Sequence, residues 1–192
     1  MSLELKELIS YIIFLAVAYI VLQVANLIYK RCPVSKIAVV RKKRKEFDNK
    51  CKFYQNGYFF HNPLFEEIKL LDLMPRVCDV NVERVRTKDD VLVLSFPMTF
   101  TYGISICKGL KEIAVEKLLD LEEQEINNLG QKTIQEQVIN VVRDVTYQQL
   151  NFEREFFMEK LNIYIDKALN KLGMRVINVN TRDLVVEENI ER

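Results

Sequence analysis

The sequence contains one histidine, His61, and histidine is the side chain best suited to act as a base near neutral pH. His61 lies between Phe60 and Asn62 in a predicted loop, and no GxSxG motif places a nucleophile near it. The acidic residues lie mostly on predicted exposed helix faces, so none can be paired for acid–base catalysis. We therefore predict that the chain is not an enzyme, and a hydrolase using His61 remains the enzymatic alternative.

The cysteines are the other candidates for chemistry, and they are widely spaced with no CxxC pair: Cys32, Cys51, Cys78 and Cys107. This spacing, with one histidine, predicts neither a metal site nor a disulfide framework, and it suits a reducing compartment. Five glycines are too few for a phosphate-cradling loop, so we expect no cofactor. Cys32 is either a plain thiol or an acylation site at a membrane edge.

An uncharged stretch from Leu8 to Tyr29 dominates the N-terminal part of the chain. At about 1.5 Å per residue it is long enough to cross a hydrocarbon layer roughly 30 Å thick. We predict a membrane anchor, single-pass or hairpin, that includes Leu8, Ile12, Phe14, Leu15, Ile20, Leu22 and Tyr29. A cleaved signal peptide is disfavoured because no small-x-small cleavage site follows. A buried core helix would need a polar face, which is nearly absent.

A basic segment follows the anchor: Lys30, Arg31, Lys36, Arg41, Lys42, Lys43, Arg44 and Lys45. These are eight of the 28 basic residues, which leaves 20 basic against 27 acidic residues elsewhere. Because positive flanks stay on the cytoplasmic side, we predict a cytoplasmic body. The basic segment either attracts anionic lipid headgroups or only sets the topology. Nucleic acid is not an expected partner, since the membrane already explains the charge.

The body begins with strand patterns at residues 36–43, 58–60, 67–73 and 77–85, with prolines between some of them. From Val91 to Tyr102 the pattern alternates strictly. Its apolar set is Leu92, Leu94, Phe96, Met98, Phe100 and Tyr102, which predicts one buried face. Pro97 predicts an edge position or a bulge.

Helical periodicity replaces alternation after Gly109. One helix is predicted to break at Gly130, a second to begin with a Thr133–Glu136 capping box, and a third to run from about Phe152 to Gly173 with Asn151 as N-cap. A strand returns at residues 174–181, so the fold class is α+β with a membrane helix in front. The predicted domains are an anchor (1–30), a β-rich subdomain (31–107), a helical subdomain (108–184) and a tail or helix start (185–192).

The order of these elements resembles the SPFH or band-seven family, which includes stomatins, prohibitins and flotillins. The resemblance extends from about Leu8 to Leu184. It is carried by the membrane segment, KIAVV (36–40), GYFF (57–60), PLF (63–65), LDL (71–73), TKD (87–89), VRD (142–144), Arg154 and LGMRV (172–176). Asp90 stands where many members have glycine, which we expect to change only the turn type.

The resemblance implies a membrane scaffold of many copies in a ring or cage that organises a membrane microdomain. The implied partners are membrane lipids and copies of the chain itself or a related SPFH protein. A regulatory adaptor of a membrane protease or transporter is the alternative. The sequence ends at Arg192, before the long helix or coiled coil of most relatives. We therefore expect either a minimal member of the family or one that assembles through its SPFH body alone.

Two surfaces are candidates for these roles. Six of the 19 aromatic residues lie within positions 53–65, and Tyr58, Phe59 and Phe60 are predicted either to enter the membrane interface or to pack the core. The charged candidates for contacts between copies are Glu116, Glu122, Glu123, Arg143 and Arg154. Faces of opposite sign favour head-to-tail assembly, and a solvated charged surface is the alternative.

Overall fold

The computed structural model describes residues 3–42, 51–182 and 184–186, with side chains in the first helix from residue 8 onward. The chain divides into two compact units, Met1–Leu71 and Asp72–Arg192. Among the described residues, the first unit contains one helix with antiparallel strands and the second contains four helices with antiparallel strands, which confirms the α+β fold class with an apolar helix in front.

The first unit begins with helix α1 (Leu3–Ile28), and strand β1 (Tyr29–Lys42) follows it directly. Strands β2 (Lys52–Phe60) and β3 (Glu66–Asp72) complete a sheet of order β2-β1-β3. The β1 strand begins seven residues before the predicted Lys36, because residues from Tyr29 onward pair with the end of β2.

A bulge between Cys32 and Ile37 interrupts the pairing of β1 with β2. The Cys32 sulfur lies 3.2 Å from the Lys36 carbonyl oxygen and 3.4 Å from that of Tyr54, and its residue is almost fully buried. Cys32 packs in a small core with Ala38, Val40 and Phe59. Its burial argues against the acylation alternative, because an acyl donor needs access to the sulfur.

The second unit holds strands β4 (Arg76–Arg86), β5 (Leu92–Ile104), β6 (Met174–Thr181) and the short β7 (Val185–Val186). The sheet order is β4-β5-β6, and β7 also pairs with β5. The helices are α2 (Leu110–Leu118), α3 (Glu123–Arg143), α4 (Tyr147–Asn151) and α5 (Arg154–Asn170). Residues 185 and 186 therefore continue the sheet, where a tail or helix start was expected.

The predicted alternation of buried residues on β5 is confirmed from Phe96 to Tyr102, but it is wrong for the residues before Phe96. Val93 is buried, whereas Leu94 is exposed. The alternation is also interrupted on the neighbouring strand β4, where Val82 and Val85 are buried and the two residues between them are exposed. Arg84 has φ 53°, a left-handed conformation that reorients the strand there. The single-face assignment of Leu92 and Leu94 was therefore wrong.

Pro97 lies in the central strand, so an edge strand was the wrong expectation. On one side of β5, pairing with β6 ends at Met98 and pairing with β7 begins at Ser95. Pro97 falls between these two ladders, and its carbonyl accepts a hydrogen bond from Arg182 N–H at 3.0 Å. A residue without an N–H is tolerated where the partner strand changes.

Gly130 lies inside α3 and does not end a helix. A Cβ atom at this position would collide with ring atoms of Tyr102, whose hydroxyl donates to the Asn127 carbonyl at 3.1 Å. The glycine is thus required for the close approach of the helix to the sheet. Thr133 donates its hydroxyl to the Leu129 carbonyl at 2.8 Å, so it does not cap a helix.

The break between helices α2 and α3 falls at residues 119–122, and α3 begins where the Glu122 N–H donates to the Glu125 carboxylate at 2.9 Å. Another helix was missed: Thr146 caps α4, and Asn151 ends it. The N-cap of α5 is Glu153, so the predicted start at Phe152 with Asn151 as N-cap was wrong. Gly173, with φ 75°, follows α5 as predicted.

The border between the compact units, after Leu71, differs from the predicted subdomain boundary at residue 107. Strands β4 and β5 were assigned to the first subdomain, but β5 pairs with β6 over Met98–Ile104. Their inner faces pack with the helices, as shown by Phe96 and Phe157, whose ring centroids are 5.8 Å apart. Long-range pairing of this kind has no local sequence signal.

Candidate membrane interface

Helix α1 is long and apolar enough to cross a membrane. Its apolar segment, Leu8–Ile28, has 21 residues and a mean hydropathy of 2.4, and none of that segment is buried within the protein. All but one of the predicted anchor residues lie in this helix. The exception, Tyr29, is the first residue of β1.

The residues at the end of α1 form an exposed surface that we call the aromatic face: Tyr29, Arg31, Tyr58 and Phe60. Tyr29 pairs with Phe60 and Arg31 with Tyr58, and cross-strand partners point to the same side of a sheet. The Tyr29 and Phe60 rings meet edge to face at 5.8 Å, and the Arg31 guanidinium lies 5.9 Å from the Tyr58 ring centroid. Tyr58 is 75% exposed and Phe60 is 60% exposed.

Phe59 points the other way, so only two of the three predicted membrane-inserting residues share the exposed face. Phe59 is 5% exposed and stacks on Tyr54 with ring centroids 4.7 Å apart. Adjacent residues of a strand alternate between faces, so a continuous strand cannot present all three rings to a bilayer. Phe59 therefore packs in the core, whereas Tyr58 and Phe60 are exposed and stay candidates for the membrane interface.

His61 fastens the end of α1 to the end of β2. Its backbone N–H and its ring Nδ1 both lie 3.1 Å from the carbonyl oxygen of Ile28, the last residue of the helix. Such a carbonyl has no partner within its own helix. Nδ1 must carry the proton to donate this bond. His61 is buried, so its observed role is structural.

A turn at residues 61–65 extends the apolar surface. The Asn62 side chain accepts a hydrogen bond from Leu64 N–H at 3.1 Å. The backbone carbonyl of Asn62 accepts another from Glu66 N–H at 2.8 Å. Leu64 and Phe65 are left 78% and 64% exposed. The Asn62 N–H donates to the Glu66 carboxylate, and this bond, aided by Lys52, lowers the pKa of Glu66 against the opposing effect of burial.

The structure separates the predicted basic residues from one another. Lys30 pairs with Phe59 and so belongs to the side opposite the aromatic face. Arg41 forms an ion pair with Glu67 at 3.3 Å, Lys36 is half-buried, and Lys42 is exposed. Lys43, Arg44 and Lys45 lie outside the described residues.

The five charged candidates for contacts between copies are all exposed. Glu116 lies on α2, Glu123 and Arg143 lie on α3, and Glu122 precedes it. Arg154 donates to the Arg182 carbonyl at 3.0 Å, so part of its hydrogen-bonding capacity is used within its own chain. The structure brings these residues to the surface of the second unit without pairing them with one another.

The Cys78 thiol is a weak nucleophile at neutral pH. Burial, with a contribution from Asp79, raises the pKa of the Cys78 thiol to about 11. A thiol with such a pKa stays protonated at neutral pH, and the thiolate is the reactive form. Cys78 is therefore a packing residue on the inner face of β4.

Sequence reasoning counted Phe65 among the six clustered aromatic residues, but it missed Leu64 as a neighbour of this surface. It named Arg31 only as a basic residue, and it grouped Tyr29 with the helix. A signal was available for part of this set. Strand alternation would have separated Phe59 from Tyr58 and Phe60. The pairing of Arg31 with Tyr58 depends on the bulge and its register, which the sequence does not reveal.

The membrane-length helix and the α+β body that follows it define a membrane-attached class of protein. Residues 30–192 match the SPFH domain / Band 7 family, so the chain belongs to that family.

Curated relatives agree with this assignment. The chain is 26% identical to a stomatin homologue of Pyrococcus abyssi and 25% identical to one of Pyrococcus horikoshii; each match covers 136 residues, 71% of this chain and 47% of the relative. An uncharacterized protein of Methanothermobacter thermautotrophicus is 28% identical over 125 residues, 65% of this chain and 36% of its own length. The chain thus spans about half the length of the stomatin homologues that it matches.

Proposed function

We propose that this protein is a membrane-anchored SPFH scaffold whose aromatic face lies in the headgroup region of the leaflet where α1 ends. Copies assemble side by side into a ring or cage and organise the membrane that they enclose. The protein acts through position and assembly, and no residue is given a catalytic role.

The observation that supports this proposal is the direct connection between α1 and the aromatic face. If α1 spans the bilayer, Tyr29 and its strand partner Phe60 lie at the level where the helix leaves the hydrocarbon. Tyrosine and arginine are suited to this level, because each combines an apolar body with a polar end. Burying one large apolar side chain contributes about 1.5–3 kcal/mol, so a few such residues fix the depth of the sheet.

The proposed orientation places the body in the cytoplasm. Lys30 and Arg31 lie two and three residues after the end of α1, and basic residues are retained on the cytoplasmic side of a membrane helix. Labelling Cys107, which is exposed, with a membrane-impermeant thiol reagent tests this orientation in intact cells. Labelling should require permeabilised membranes, and labelling of sealed cells would reverse the orientation.

Assembly is proposed to use unlike surfaces of the second unit. The acidic residues lie at α2 and the start of α3, whereas Arg143 and Arg154 lie at the end of α3 and the start of α5. Contact between unlike surfaces generates a ring when the rotation closes. Charge reversal at Glu122 and Glu123 should shift detergent-solubilised particles toward monomers, and reversal of Arg143 and Arg154 in the same chain should restore part of the assembly. A wild-type particle that stays monomeric at all protein concentrations would overturn assembly.

The position of the aromatic face can be tested with one introduced fluorophore, because the sequence has no tryptophan. The full chain carrying Phe60→Trp is reconstituted into liposomes whose lipids are brominated on the acyl chains. We expect strong quenching, since bromine near the interface lies within contact range of residue 60. The matched control is Tyr54→Trp, on the same strand but half-buried and stacked on the core residue Phe59, which should be quenched little. Equal, weak quenching at both positions would contradict the proposal.

A further inference from the structure

Arg31 differs from the other basic residues of the segment in its surroundings. It belongs to the aromatic face beside Tyr58, and within the described part of the chain its guanidinium forms no hydrogen bond or ion pair. Arg41, by contrast, is paired with Glu67. Lys30 lies next to Arg31 in the sequence but on the other side of the strand pair.

A guanidinium is suited to binding phosphate because its planar set of N–H donors can contact two oxygens at once. The cation–π contact of Arg31 with the Tyr58 ring, 5.9 Å from the guanidinium carbon to the ring centroid, uses none of the N–H donors and leaves them available. The exposed Tyr58 hydroxyl supplies a second kind of donor on the same face.

We propose that Arg31 and Tyr58 form a binding site for the phosphate of an anionic phospholipid in the leaflet where α1 ends. This inference rests on the proposed function, because it requires the aromatic face to lie at headgroup level. Phe60 and Tyr29 beside the site contact the part of the acyl chains nearest the headgroups, and Arg31 contacts the phosphate of the headgroup. The selectivity for anionic lipid then comes from one residue in a defined position and not from the basic segment as a whole.

The test measures which lipids surround the aromatic face of the full chain. Protein carrying Phe60→Trp is reconstituted into equal mixtures of phosphatidylcholine and phosphatidylglycerol, with bromine on one lipid or the other. We expect phosphatidylglycerol to be enriched about fivefold around residue 60, a factor that corresponds to roughly 1 kcal/mol for one basic residue at the surface.

Two neighbouring substitutions distinguish a site from diffuse charge. Arg31→Gln should reduce the enrichment to nearly one, whereas Lys30→Gln, which removes the same charge from the opposite side, should leave most of it. Arg31→Lys should retain part, because the charge stays and the two-oxygen contact is lost. Tyr58→Phe tests the hydroxyl and should lower the enrichment less than Arg31→Gln. Equal losses in Arg31→Gln and Lys30→Gln would overturn the inference.

Further outcomes identify the source of the phosphate and separate this inference from the proposed function. Inorganic phosphate that abolishes the enrichment at constant ionic strength would show that the site takes free phosphate, which overturns the lipid assignment. Quenching that is strong but equal for the two lipids would refute the Arg31 site and leave the membrane contact intact. Absence of quenching by either lipid would refute the membrane contact itself.

Discussion

The two sheets of the protein carry different kinds of side chains on the exposed faces compared here. On the outer side of β4 and β5, polar side chains of the two strands bond to each other. Thr99 donates to its cross-strand partner Asp79 at 2.6 Å, and Ser95 donates to its diagonal neighbour Asn81 at 3.0 Å. At the end of α1, the corresponding pairs are Tyr29 with Phe60 and Arg31 with Tyr58. Antiparallel strands therefore carry bonded polar side chains at these positions of the second unit and mainly aromatic ones at the end of α1 in the first.

This difference shows that backbone pairing does not demand the exposed rings of the first unit. Half-exposed antiparallel sheets normally place polar residues on the solvent side, as β4 and β5 do at these pairs. A cluster of exposed rings costs solubility unless something covers it. In the first unit the cluster adjoins a helix of membrane length, so we infer that lipid is the covering medium.

Alanine variants of Phe59 and Phe60 test the difference between the two faces most directly, and Phe59→Ala should have the largest effect on the free energy of unfolding. Phe59→Ala should reduce the free energy of unfolding by about 3–5 kcal/mol, because it removes a ring from the core. Phe60→Ala should cost about 1 kcal/mol at most, the value of its edge contact with Tyr29. Urea titration in detergent measures both. Similar losses for the two variants would mean that the two faces of β2 do not differ as described.

Gly130 tests the covered face of the second sheet. Replacing a glycine inside a helix with alanine ordinarily stabilises it by roughly 1 kcal/mol. Here the added methyl group would meet the Tyr102 ring, so we expect Gly130→Ala to destabilise the protein by about 1–3 kcal/mol. Gln131→Ala, one position along and exposed, is the matched control and should change little. A more stable Gly130→Ala variant, measured by thermal unfolding, would rule out the close approach.

Asp89 tests how the turn after β4 is fixed, and its effect should be smaller. Its carboxylate accepts the Tyr147 N–H at 3.0 and 3.1 Å and thereby caps α4 from a distant part of the chain. Burial opposes ionisation, but the Thr87 hydroxyl and the Tyr147 N–H outweigh it and lower the pKa of Asp89 below the usual 3.8. Asp89→Asn should cost about 1 kcal/mol at neutral pH, typical for loss of a helix cap.

The pH dependence of this effect has a definite sign. A carboxyl with a lowered pKa in the folded state stabilises the fold above its unfolded pKa, and that contribution disappears as pH falls through the folded value. The stability gap between wild type and Asp89→Asn should therefore narrow below about pH 4. Asp90→Asn is the matched control, since the side chain of Asp90 makes an exposed ion pair with Arg86, and its backbone bond to Thr87 is kept in the variant. A stability difference between wild type and Asp89→Asn that does not change with pH would show that the Asp89 charge does not cause it.

Local sequence patterns predicted much of the fold. The uncharged stretch predicted α1, and the alternation from Phe96 to Tyr102 predicted the inner face of β5. The capping signals at Gly130 and Thr133 misled because tertiary packing overrode them: the Tyr102 ring requires a glycine in the middle of α3. Pro97 misled because a change of partner strand within the sheet is invisible in the sequence.

The candidate membrane interface was predictable only in part. Its aromatic composition was visible, and its division between a core side and an exposed side follows from alternation. Arg31 could not be separated from the seven other basic residues of the segment by charge alone, because its place beside Tyr58 depends on cross-strand pairing. Leu64 and Phe65 depend on the turn that Asn62 builds.

The junction at Ile28 and Tyr29 has a mechanical consequence. Helix passes into strand with no intervening residue, and two hydrogen bonds from His61 hold the last helical carbonyl to the neighbouring strand. Helices longer than the local bilayer thickness tilt to fit it. If α1 spans the bilayer as proposed, no residue between helix and strand can absorb such a tilt. A thinner membrane would then turn the first sheet together with α1 relative to the bilayer plane.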